Sequence, residues 1–193
     1  MTEPIAAIAP INTPRLTLES MSVPFMEALA RNDLATASSE IDADLPANMP
    51  DDLKNFLVFR LAQLAADPSV RESLGRVMVL TDESGGREVI GSLGFHGPPD
   101  AEGRLEVGYR VEPQYRRQGF ASEAISALFD WAHERYGVSR FVASISPDNE
   151  ASLSLTQQFG FERVGEQMDE IDGLEYVFEA SWPRSSGASR APR

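Results

Sequence analysis

The sequence predicts an α+β fold, with an α/β-like mixed sheet of about seven strands and helices on both faces. Two observations carry that expectation. Runs with a two-residue apolar period alternate with longer runs at helical spacing, in the order strand, two helices, three strands, helix, strand, helix, two strands. The chain has 193 residues, 42% hydrophobic and 24% charged, which suits one globular domain with a proper core. It has no cysteine, so no disulfide frame, thiolate nucleophile or cysteine metal site is expected.

Residues 1–12 are rich in Ala and Pro and read as a flexible arm. The domain runs over 13–182. Thr13-Pro-Arg-Leu-Thr-Leu-Glu alternates Leu16 and Leu18 with polar neighbours, a first strand. Ser22 reads as an N-cap with Pro24 just inside, and Phe25, Met26, Leu29 and Ala30 make a short apolar face. Asn32 to Met49 reads as a polar segment. Pro50-Asp51-Asp52 opens a second helix with acidic residues in its first turn. Leu53, Phe56, Leu57, Leu61, Leu64 and Ala65 form its stripe, and Asp67-Pro68 ends it.

Arg76 to Thr81 is a strand, Glu83-Ser-Gly-Gly turns the chain, and Glu88 to Phe95 returns it. Leu105, Val107, Tyr109 and Val111 alternate along a fourth strand, which Glu112-Pro113 stops because proline lacks a ladder amide. From Ala121 the spacing becomes helical, through Ala124, Ile125, Leu128, Phe129 and Ala132. Val138 to Ser146 reads as a buried strand, and Pro147-Asp-Asn-Glu opens a helix that Gly160 caps. Glu162 to Met168 and Leu174 to Ser181 are the last strands. The tail, 183–193, is rich in Ser, Gly and Arg and reads as disordered.

Between the fourth strand and its helix lies Arg116-Arg117-Gln118-Gly119-Phe120-Ala121. A small-residue loop that opens a helix presents amide donors and the positive end of the helix dipole, which suits a phosphate. Gly119 allows close backbone approach. No Gly-Lys-(Ser/Thr) follows, and the glycine spacing is not that of a dinucleotide fingerprint.

Arg116-x-x-Gly119-x-Ala121 resembles the (Gln/Arg)-x-x-Gly-x-(Gly/Ala) signature of the GNAT acyltransferases, and the element order is theirs from about Thr13 to Trp182. Asn149-x-x-Ser152 followed by Phe159-Gly160-Phe161 is a second likeness. Thr13-Pro-Arg-Leu and Gly108-Tyr109 are most similar to the branch that includes the ribosomal-protein alpha-amino acetyltransferases (RimJ/RimL-like). The resemblance implies a GNAT fold and an acetyl-CoA-dependent N-acetyltransferase acting on a primary amine by direct attack in a ternary complex, with no metal. It implies that Arg116, Arg117, Gln118, Gly119, Phe120, Ala121 and Ser122 hold the pyrophosphate, that Asn149 bonds the pantetheine arm, and that the backbone amide of Val111 polarises the thioester carbonyl. Glu106 is the implied base. Many relatives carry a Tyr acid seven residues after the Asn; here that position is Thr156, and Ser152 is the substitute near the thiol. The structural alternatives are a capping role for Asn149, an exposed Glu106 and a solvated Ser152. His96 reads as a turn residue beside Gly97-Pro98-Pro99, and His133 as solvated.

A net charge of −13 argues against nucleic acid and against an anionic membrane surface, and favours a cationic or amine-bearing acceptor, a small molecule or a protein N-terminus. No apolar run is long enough to span a bilayer, and Met1-Thr-Glu-Pro-Ile lacks the basic start of a signal peptide, so the expected location is the cytoplasm. The oligomeric state stays open, a homodimer included. The rivals are a GNAT-fold module that binds CoA without catalysis, an enzyme with a longer acyl donor, and a scaffold without cofactor.

Overall fold

Leu16 and Leu18 point inward from a five-residue strand, β2 (Leu16–Ser20), and the first part of the protein is laid out from it. The structure is a computed structural model and describes residues 8–68, 70, 75–169 and 173–184. Two compact units divide the chain: residues up to Gly94 with Tyr109–Ala127, and Phe95–Gly108 with the residues from Leu128 on.

In the first unit β1 (Ile11–Asn12), β2, β3 (Arg76–Thr81) and β4 (Arg87–Phe95) pair antiparallel in that order. The turn between β3 and β4 closes on Asp82, whose Oδ1 accepts from the amides of Ser84 and Gly86. Among the described residues four α-helices precede β3: α1 (Val23–Ala30), α2 (Leu34–Ile41), α3 (Met49–Asp52) and α4 (Lys54–Ala66). Ser22 Oγ accepts from the Phe25 amide, as its N-cap reading requires. Phe25, Met26, Leu29, Ile41, Leu57 and Leu64 pack with Val77, Val79 and Val89 of the strands into one core.

Two expectations are corrected here. The segment 32–49 contains a helix, α2, capped by Asp33, whose Oδ1 accepts from the Thr36 amide. Only Ala37 and Ile41 of that helix are buried, too few apolar positions to print a stripe in the sequence. The helix expected from Pro50 to Ala66 is two, separated at Leu53, where the backbone leaves helical dihedrals at φ −99° and ψ 4°.

In the second unit Arg104–Glu106 of β5 (Arg104–Val111) run parallel to Arg140–Val142 of β6 (Arg140–Ile145). β6 pairs antiparallel with β8 (Gly173–Ser181), and β8 with β7 (Glu162–Asp169), whose register shifts between Arg163 and Gly165. The residues of α5 (Phe120–Tyr136) from Leu128 on, and α6 (Glu150–Phe159), complete it. Its core is aromatic. Phe129 stacks on Phe141 at 3.8 Å, Phe95 lies against the same Phe141 at 5.9 Å, and Trp182 meets Phe129 edge-on at 5.5 Å. The Trp182 indole N–H is satisfied by Asp130 Oδ1 at 2.8 Å.

The class is the mixed α+β one expected, with eight strands among the described residues against the seven or so foreseen. The additional strand is Ile11–Asn12, which the sequence reading leaves in the arm. Two residues carry no period, and only pairing with Thr17 and Leu18 makes them a strand. The expected disorder of 183–193 falls mostly outside the described residues. Arg184, within them, donates to the carbonyl of Gln158. Among the described residues no helix is long and apolar enough to cross a membrane.

Candidate active site

The loop after β5 lies in the first unit. Glu112 donates its amide to Ile90 O at 2.9 Å, Pro113–Tyr115 form a single 3-10 turn, and α5 begins at Phe120. Two residues in this loop take left-handed backbone, Arg117 at φ +60° and Gly119 at φ +84°. A non-glycine residue there is strained, and such strain gathers at ligand clamps. The first bond of α5 runs from the Glu123 amide to Gly119 O, so the amides of Phe120 and Ala121 precede the helical ladder. Phe120 itself is buried and meets Tyr115 edge-on at 6.3 Å, which seats the start of the helix. Ser122 is half-buried beside them.

The two arginines differ. Arg117 is exposed on the loop. Arg116 donates Nε to the carbonyl of Val111 at 2.8 Å, which ties the loop back to the end of β5. Gln118 folds over Gln114, its Nε2 donating to the Gln114 carbonyl at 2.9 Å. Val111, Arg116, Arg117, Gln118, Gly119, Phe120, Ala121 and Ser122 thus form one continuous stretch of one unit. Thr13, Arg15 and Glu123, which no site motif in the sequence marks, meet in the same unit. Glu123 accepts from Thr13 Oγ1 at 2.6 Å and from Arg15 Nε at 2.7 Å. Burial opposes its charge, but these hydrogen bonds outweigh burial and hold its carboxyl below the ordinary value.

Glu106, Asn149 and Ser152 lie in the second unit. Glu106 is one-third exposed, and His96 Nδ1 stands 3.7 Å from its Oε1. The His96 amide donates to the Glu106 carbonyl at 2.9 Å, so a backbone bond fixes this pairing. The Glu106 carboxyl is held below its usual value, first by the His96 imidazole beside it; burial raises it, and Ser144 lowers it again. Ser144 in turn accepts from Gln167 Nε2 at 3.1 Å. His96 stands in the bend after β4, as its turn reading expects, and its side chain also lies beside Glu106. It and Glu106 form an accessible carboxylate–imidazole pair, the arrangement that moves protons between a base and solvent. His133 is also more than solvated: its Nδ1 donates to the Val138 carbonyl at 2.9 Å.

Asn149 caps α6, with Oδ1 accepting from the Ser152 amide at 3.1 Å. The capping alternative is thus realised, and its side-chain amide nitrogen makes no bond to the described residues. Ser152 is half-buried in the first turn. Thr156, at the position where the resemblance expects a tyrosine acid, is buried and donates Oγ1 to the Leu153 carbonyl at 2.8 Å. A hydroxyl used in that way is not an acid for a leaving group. Among the described residues no group of three His, Asp or Glu could hold a metal.

A family model of the acetyltransferase (GNAT) domain matches residues 27–162. The chain is 28% identical over 152 residues to YjdG of Bacillus subtilis (strain 168), an uncharacterised N-acetyltransferase, covering 78% of this chain and 88% of that one. It is 40% identical over 79 residues to YoaA of the same organism, also an uncharacterised N-acetyltransferase; that match takes in 41% of this chain and 45% of the relative. Among solved structures it resembles RimL, a ribosomal L7/L12 alpha-N-protein acetyltransferase in complex with coenzyme A, with a TM-score of 0.60 and 15% identity over 89% of this chain and 97% of that one.

Proposed function

The chain belongs to the GNAT acetyltransferase family, an acyltransferase family, and on that premise we propose that it moves an acetyl group from acetyl-CoA to a primary amine by direct attack in a ternary complex. The observation that carries the reading is the loop at Arg116–Ala121. Left-handed Arg117 and Gly119 turn the backbone at the opening of a long helix, where the dipole and the first amides favour an anion. When bound, acetyl-CoA supplies the activated acyl group; Arg116, Arg117, Gln118, Gly119, Phe120, Ala121 and Ser122 would hold its pyrophosphate.

The remaining roles are those the family resemblance implies. An attacking amine must lose a proton, and Glu106 is the proposed acceptor, with His96 passing the proton to solvent. The unused amide nitrogen of Asn149 is a donor for the pantetheine arm. The amide of Val111 is proposed to polarise the thioester carbonyl, and Ser152 to donate to the departing thiolate. With no cysteine, no thiol acyl-enzyme is involved. The acceptor is proposed to be cationic, a small polyamine-like molecule or a protein N-terminus, because a net charge of −13 attracts positive solutes.

A non-catalytic CoA-binding module is the second reading, favoured by the buried, internally bonded hydroxyl of Thr156. One experiment separates them. Acetyl-CoA at a hundred times its dissociation constant should stabilise the fold by about 2.7 kcal/mol, read as a higher melting temperature. Thiol release with a panel of amines should then follow. Stabilisation without thiol release from any amine selects the module. No stabilisation at millimolar acetyl-CoA removes both readings.

A further inference from the structure

We propose that Arg15 is a positioning residue of the cofactor loop, which sets the Gln118–Gly119 peptide so that the Gly119 amide faces the phosphates. This rests on the acetyl-CoA reading above and adds to it a residue far from the loop in sequence. Thr13 prepares the placement: its Oγ1 accepts from the Leu16 amide at 2.8 Å, closing a tight turn just before β2. The Arg15 backbone amide then donates to Glu123 Oε1 at 2.8 Å, and its Nε to Glu123 Oε2 at 2.7 Å. Both oxygens of one carboxylate therefore hold Arg15.

So held, the guanidinium reaches the loop with what remains. Nη1 donates to the carbonyl of Gln118 at 3.0 Å, and the group lies 4.3 Å over the Phe120 ring. Nη2 stands 3.3 Å from where a β-carbon on Gly119 would be. Gln118, Phe120 and Glu123 are thus all touched by one planar cation, which also flanks Gly119.

A trans peptide is planar, with its C=O and N–H pointing in opposite directions. A carbonyl of Gln118 fixed on Arg15 therefore directs the Gly119 amide to the other side of the loop. Gly119 sits at φ +84°, and a glycine takes positive and negative φ about equally, so the peptide before it is not fixed by its own backbone preference. The Arg15 bond selects one orientation before any ligand arrives, and a loop ordered in advance binds more tightly because less freedom is lost on binding. Arginine is needed because its rigid fork serves Glu123 and Gln118 at once; a lysine ammonium brings equal charge without the fork.

The test is calorimetric titration with coenzyme A of wild type, Arg15→Ala and Arg15→Lys, with steady-state kinetics beside it. The expected result is a dissociation constant about tenfold higher in both variants, with KM for acetyl-CoA raised in step and kcat and the amine KM retained. Wild-type affinity in Arg15→Lys would show that charge alone matters and overturn the positioning role, as would wild-type affinity in Arg15→Ala. If Arg15→Ala does not fold, Arg15→Lys carries the test, since its stem still covers Phe120. Failure of the wild type to bind coenzyme A would instead strike down the acetyl-CoA reading itself, an outcome distinct from a normal wild type with normal variants.

Discussion

A β-carbon on Gly108 would lie 2.6 Å from Nε2 of His96, so the imidazole rests on the bare backbone of that glycine. The contact keeps the ring beside Glu106. Gly108→Ala should push it away and remove the main influence that lowers the Glu106 carboxyl. The Glu106 pKa then rises towards the ordinary glutamate value. If Glu106 is the base, the acid limb of kcat/KM against pH moves to higher pH and the rate falls. His96→Gln should shift the limb the same way. Unmoved limbs in both variants would detach His96 from the proton path.

Glu106→Gln should keep shape and acetyl-CoA affinity while slowing transfer. A positioned base contributes roughly 10²–10⁴-fold, and a relay through water places the loss near the low end. The variant should recover part of its rate at high pH, where the amine is already neutral. Ser152→Ala should leave amine binding alone and slow thiolate release. Single-turnover transfer in the two variants measures both effects, and wild-type transfer by Glu106→Gln across the pH range would return Glu106 to the role of a surface carboxylate.

Gly119→Val should raise the constant for acetyl-CoA far more than that for the amine. At φ +84° a β-branched residue is strained, and its first carbon would crowd Arg15 Nη2 at 3.3 Å. Steady-state kinetics with each substrate varied in turn gives the comparison. Equal effects on both constants would place the cofactor elsewhere.

Acid should weaken the protein through carboxyls that are lowered in the fold. Glu123 and Glu106 both have native values below their unfolded ones. Each therefore contributes stability that is fully present above the unfolded value, near 4.3, and is lost as pH falls through the native one. In urea unfolding, wild type should lose more of its midpoint than Glu123→Gln between about pH 5 and pH 3, since the variant has no carboxyl to protonate at that position. Parallel slopes would mean that the Thr13–Arg15–Glu123 cluster adds nothing to folding.

Much of the site was legible because its signals are local. The β5 strand, the stop at Glu112-Pro113 and the helix beginning at Phe120 stand within a few residues of one another, and period and proline mark them directly. The Gly160 cap was legible for the same reason, and it is left-handed at φ +72°. What escaped depends on long-range pairing. Arg15 meets Glu123 across 108 residues, and His96 meets Glu106 only because backbone bonding brings them together. β1 acquires its identity from its partner strand, and α2 hides because two buried residues suffice to dock it.

The exposed strand β7 has a consequence for how the protein behaves in concentrated solution. Glu162 through Met168 are exposed, Val164 and Met168 prominently so, and β7 ends its run of strands with β8 on one side only. Such an edge is a template for another chain. Glu162, Glu166 and Asp169 place carboxylates along it, and the register shift at Arg163–Gly165 bends it out of flat pairing. Arg163 pairs with Glu166 at 2.9 Å, which leaves Glu162 and Asp169 to repel a like edge, a force that acts over about 10 Å at 0.1 M salt and shortens as salt is added. Added salt should therefore bring two apolar-studded edges within reach of each other.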